Sequence, residues 1–179
     1  MIKGWITAIA LLAFAPVLAA SEAMQRMAFL EGEWAARYYQ YDASGEAVFT
    51  GENVARYDVA LDGQLIEETM TILGTGIDFP MRTFLTWDVE KRVYRMAAVD
   101  QPGGMMDLYE GQLVDGVLTM TNLAHETFYR NENGKPMAFR LTWRFGSENP
   151  DSFTLGAEIS LDLGESWTPM SRVEYSRRT

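Results

Sequence analysis

Four side chains stand where their chemistry breaks the pattern around them. Glu68 occupies an otherwise apolar line at period two, Ile66-x-Glu68-x-Met70-x-Ile72. Arg95 does the same with the opposite charge in Val93-x-Arg95-x-Ala97-x-Val99. A charge on an apolar face must be paired or carry a large desolvation cost. Two readings follow: a polar cluster at the bottom of a binding cavity, with Asp107 beside Glu68 and Arg95, or a buried structural salt bridge. His125 is the chain's one histidine, in NLAHETFYR. On a strand its neighbour Glu126 would face away from it, while Leu123 and Thr127 would share its face. It is either a ligand contact or acid–base group, or a structural residue.

The same inventory excludes several chemistries. With no cysteine and one histidine, a zinc or copper site of thiolate and imidazole cannot be assembled, so no metal is expected. No EF-hand spacing appears. GTGIDFP and DQPGGMM do not open helices after buried parallel strands, so neither is a phosphate cradle. There is no G-x-S-x-G elbow. Scattered carboxylates leave no local motif, so an acid–base enzyme stays open.

The elements that must position these residues are strands. From Trp34 onward the apolar period is two. In FRLTWRF, Phe139, Leu141, Trp143 and Phe145 alternate with Arg140, Thr142 and Arg144; SFTLGAEIS, MRTFLTW and QLIEETMTI behave alike. Asp62-Gly63, Asp115-Gly116 and Asn133-Gly134 are hairpin signals, with further turn signals at short intervals. About ten strands joined by hairpins predict an all-β, antiparallel up-and-down barrel, which leaves no open edge. Met70, Met96 and the other strand methionines either fill that barrel or line a pocket in it. SEAMQRMAFL, Ser21 to Leu30, is the one helical stretch: Ser21 suits an N-cap, and Met24, Met27 and Leu30 recur on one face. Such a short helix must lie against something larger, as a lid or plug.

Residues 1–20 read as a secretory signal peptide, with Lys3, an apolar run and small residues before a cut after Ala20. Residues 21–33 form the helix and barrel-closing segment, and 34–179 the barrel domain. Localisation is therefore expected to be periplasmic or secreted, with no membrane span after cleavage. All the acidic residues lie beyond position 20, and the net charge is −10. That charge argues against nucleic acid as a partner.

Gly32-x-Trp34 before the first strand, with arginines in the last, resembles the calycin pattern of lipocalins and fatty-acid-binding proteins. There a Trp closes one barrel end and a late-strand Arg packs on it. The resemblance implies that role for Gly32 and Trp34, with Arg172, Arg177 or Arg178 as the stacking partner. The ordered series LEGEW, LDGQLIEE, TWD, YEG and EYSRR resembles the bacterial domain-of-unknown-function family numbered fifteen seventy-nine, over nearly all of residues 21–179. The nitrobindin-like calycins hold haem through a histidine, but His125 lies in mid-chain rather than near the C-terminal strands. No cofactor is expected.

The reading that emerges is a calycin-like barrel that binds a small apolar or amphipathic molecule, with Glu68, Met70, Arg95, Met96, Asp107 and His125 as candidate ligand contacts. The alternatives are an enzyme acting through a cavity carboxylate or His125, and a non-catalytic envelope scaffold.

Overall fold

The structure is a computed structural model that describes residues 22–73, 78–146 and 150–179. The leader and Ser21 lie outside the described residues. Among the described residues eleven strands run in chain order: β1 (Gly32–Tyr41), β2 (Ala47–Ala60), β3 (Leu65–Ile72), β4 (Phe79–Asp88), β5 (Val93–Asp100), β6 (Met106–Val114), β7 (Val117–Thr121), β8 (Tyr129–Arg130), β9 (Pro136–Phe145), β10 (Ser152–Ser160) and β11 (Thr168–Arg177).

Ten of these strands close a barrel. Each pairs antiparallel with its neighbour in sequence, β7 passes to β9, and β11 returns to β1. The two-residue β8 only folds back on β9. The barrel expected from the two-residue period is therefore present. Its hairpins turn at glycines with positive φ, such as Gly116 (75°) and Gly134 (74°), where the Asp-Gly and Asn-Gly signals stand.

The N-terminal segment departs from a regular α-helix. Residues 22–25 make one helical turn, and Ala28–Leu30 is a 3-10 turn. The Met27 N–H donates to the Met24 carbonyl and the Leu30 N–H to the Met27 carbonyl, an i to i−3 pattern. Winding at three residues per turn stacks Met24, Met27 and Leu30 on one side. All three are buried in the barrel's core, so the segment plugs one end. No helix among the described residues is long and apolar enough to cross a membrane.

Candidate functional site

The plugged end is built around Trp34. Gly32 has a φ of +119°, which turns the chain from plug to strand, and a Cβ there would meet the Arg177 guanidinium at 3.4 Å. Trp34 is fully buried, and its indole N–H donates to the Leu30 carbonyl at 2.7 Å. Arg177 is its direct cross-strand partner and lies over the ring, 4.3 Å from the centroid. The guanidinium also donates to the Phe29 carbonyl (2.6 Å), the Glu31 carbonyl (3.0 Å) and Asp151 Oδ1 (2.7 Å). One planar cation thus ties the plug, β1 and the β9–β10 connection together.

Arg172 and Arg178 stand elsewhere. Val173, Tyr175 and Arg177 share the inner parity of β11, which leaves Arg172 and Arg178 outside. Arg172 lies over the Tyr39 ring and pairs with Glu174 (3.0 Å); Arg178 pairs with Glu33.

Glu68 points inward and is 4% exposed. Strand register places it in one row across five strands: Tyr57 opposite Glu68, Glu68 opposite Thr83, Thr83 opposite Ala98, and Ala98 opposite Asp107. The Thr83 hydroxyl donates to Glu68 Oε2 at 3.0 Å, and the Tyr175 hydroxyl reaches Oε1 at 3.5 Å. Burial pushes the Glu68 carboxyl above the usual range, and the hydroxyl contacts only partly offset it. Burial likewise raises Tyr57, Tyr175 and Tyr38, so all three stay neutral beside it. The Tyr57 hydroxyl lies close to Glu68 and Tyr175, and the Tyr38 hydroxyl close to Asn53, but neither makes a well-aligned hydrogen bond among the described residues.

Glu68 and Thr83 line a cavity of about 20 Å³ with Tyr57, Met96, Trp143 and the plug residue Met27. That is about the space of one water molecule. With the plug seated, this cavity is too small for an organic ligand. Met70 and Met96 are core residues, 3% and 4% exposed.

Asp107, on the same inner row, forms a second polar knot with Tyr109, Asn122 and Thr127. Its carboxyl accepts from the Tyr109 hydroxyl (2.5 Å), the Thr127 hydroxyl (2.5 Å) and the Asn122 amide (3.2 Å). Desolvation still raises its pKa. These bonds hold the 122–127 turn against β6, so Asp107 is consumed in structure.

Two expectations are corrected. Arg95 is outside: on β5 it is Tyr94 and Met96 that face in, and Arg95 meets Asp88 (3.3 Å) and Glu110 (3.9 Å) on the surface. Glu68 and Arg95 therefore make no pair. The apolar line through Val93 and Val99 is a half-buried outer face. His125 is not on a strand. It ends the turn Leu123–His125, with Nε2 3.3 Å from Glu110 on the outer side.

Tyr57, Thr83, Tyr175 and Asn122 were not singled out from sequence. Their only local signal is parity, such as Ala55-x-Tyr57-x-Val59, and parity does not say which charged neighbour lies across the barrel. No group of three or more His, Asp or Glu side chains placed to hold a metal ion occurs among the described residues.

No model of a known protein family matches the chain, and no curated protein matches it. Among solved structures it is similar to the crystal structure of Rv2717c from M. tuberculosis, with a TM-score of 0.62 and 14% identity over 88% of this chain and 98% of that one. This likeness concerns the fold.

Proposed function

We propose that the chain binds a small, largely apolar or amphipathic molecule inside the barrel, beneath the N-terminal plug. The observation that carries this reading is the Glu68 carboxyl, 4% exposed and without a cation beside it, in a cavity it shares with Tyr57 and the plug residue Met27. A well-packed apolar side chain there would cost less, so a buried ionisable group marks a candidate site.

The plug is the part that can give way. Residues 28–31 are clamped by Trp34 and Arg177, whereas the first turn is held by the packing of Met24 and Met27 and by contacts that include the Tyr94 hydroxyl's bond to the Ala23 carbonyl (2.7 Å). Two flexible thioether side chains fill the space an apolar ligand would take.

Removal of residues 1–20 on export would leave this segment as a chain end, in a periplasmic or secreted protein. Terminal sequencing of the chain from a cell-envelope fraction tests that. The ordered LEGEW to EYSRR series supports grouping the chain with the family numbered fifteen seventy-nine.

The test of binding uses prodan, a neutral apolar fluorophore. Saturable one-to-one binding is expected, tighter in the Met24→Ala/Met27→Ala double variant than in the parent. Absence of saturable binding to either protein refutes the reading. A carboxyl whose pKa is raised by burial can, where protonated, also donate to a bound group, which makes turnover of the ligand a second reading; loss of product formation in Glu68→Gln at saturating ligand would favour it.

A further inference from the structure

The interior is polarised in one sense only. Among the described residues the buried polar and charged side chains are Glu68, Thr83, Asp107, Asn122 and Ser160, and none is a Lys, Arg or His. Asp107 already accepts from three side chains. Glu68 accepts from the Thr83 hydroxyl at 3.0 Å, with the Tyr175 hydroxyl at 3.5 Å and the Tyr57 hydroxyl nearby, all of them neutral groups, although a carboxylate offers about four acceptor positions. Tyr57, 4% exposed, lines the same cavity with its hydroxyl close to Glu68 but in no well-aligned hydrogen bond. Aromatic surface surrounds this pair. Tyr57 meets Tyr175 edge-on at 6.4 Å, Tyr175 stacks on Phe153 at 4.3 Å, and Trp143 closes the cavity wall.

What is missing from this arrangement is a cation. We propose that the site takes an amphiphile headed by a protonated amine, with the ammonium between Glu68 and the Tyr57 hydroxyl and the chain in the space held by Met24 and Met27. This rests on the interior being a ligand site at all. An ammonium supplies up to three donors, enough for the Glu68 carboxylate and the Tyr57 oxygen together. Aromatic faces add cation–π attraction in a desolvated setting. The net charge of −10 draws cations toward the molecule. A carboxylate-headed chain would instead place two acids face to face, with no base in the cavity lining to separate them.

The polar groups facing Glu68 are Tyr38 from β1, Tyr57 from β2, Thr83 from β4 and Tyr175 from β11, and the remaining cavity lining, including Met27 and Leu30 from the plug, Met96 and Trp143, holds no carboxylate or basic group. None carries a charge at neutral pH. Binding of an alkylammonium is therefore accompanied by release of the Glu68 proton to solvent, wherever that carboxyl is protonated beforehand.

The experiment compares three probes of equal length at pH 7: n-octylammonium, 1-octanol and octanoate, titrated calorimetrically into the full chain and competed against prodan. Octylammonium is expected to bind at least about 10-fold more tightly than either other probe, and Glu68→Gln to remove that preference. Titration of the unaltered protein in phosphate and in Tris gives the proton release without any substitution. Equal or tighter binding of octanol or octanoate, or an octylammonium preference that survives Glu68→Gln, overturns the amine assignment while leaving the ligand site intact. Failure of all three probes and of prodan overturns both.

Discussion

Arg177 lies 4.3 Å above the Trp34 ring and from there donates to the carbonyls of Phe29 and Glu31. The pair links the first and last strands, which are register partners at this point, and anchors the hinge of the plug. Arg177→Ala is expected to cost about 2–3 kcal/mol, since it removes charge-assisted bonds and a cation–π contact. Arg177→Lys recovers only part, because an ammonium cannot keep the planar fork. Urea unfolding reads this as a lower midpoint at unchanged slope.

Glu68 makes stability depend on pH. Its carboxyl is raised in the folded state, so between the ordinary carboxyl range and the raised value the folded chain holds more protons than the unfolded one. Glu68's contribution is therefore most favourable below the ordinary range and declines as pH rises. Glu68→Gln, which cannot ionise, is expected to match the parent near pH 4. It should then gain on the parent by about 1.4 kcal/mol per pH unit up to the raised value. Unfolding of both proteins from pH 4 to 8 measures the difference; a flat curve would refute the burial argument.

Asn122 is fully buried and joins three elements. Its amide donates to Asp107 and to the Thr127 carbonyl (3.2 Å), and its oxygen accepts the Phe139 N–H (2.8 Å). Asn122→Ala strands each partner and is expected to cost about 3 kcal/mol. Amide exchange at Phe139 and at Leu108, whose N–H donates to Thr127, should quicken together.

Two strand glycines should respond in opposite directions to alanine. At Gly111 in β6 an added Cβ would lie 1.8 Å from the Thr119 carbonyl oxygen, in backbone that cannot give. Gly111→Ala is expected to lose about 3 kcal/mol or more. At Gly156 in β10 the nearest atom would be 3.9 Å away. Gly156→Ala should be neutral or gain about 0.5 kcal/mol through lower chain entropy. Paired melting curves distinguish them.

The barrel was legible because local rules suffice for it. Alternation in FRLTWRF and SFTLGAEIS sets strand faces, Asp115-Gly116 and Asn133-Gly134 set hairpins, and a run of hairpins without crossovers leads to closure. Glu68 was legible as an anomaly for the same reason: period two put it on the line of Ile66 and Met70, and that line is the inner one.

Arg95 shows where such reasoning ends. Its apolar neighbours Val93, Ala97 and Val99 are as hydrophobic as Tyr94 and Met96, and alternation is symmetric between faces. Only the closed barrel decides which set meets the core. Turn geometry took His125 off a strand, and Glu110 received it on the outside. Cross-strand register is likewise a tertiary property: it put Tyr57, Glu68, Thr83 and Asp107 in one row from four separate strands, and Arg177 rather than Arg172 over Trp34. The sequence by itself determined the strands, their turns and the residues too polar to be buried cheaply. Tertiary structure decided which of those were buried together, because side-chain parity is local and closure is not.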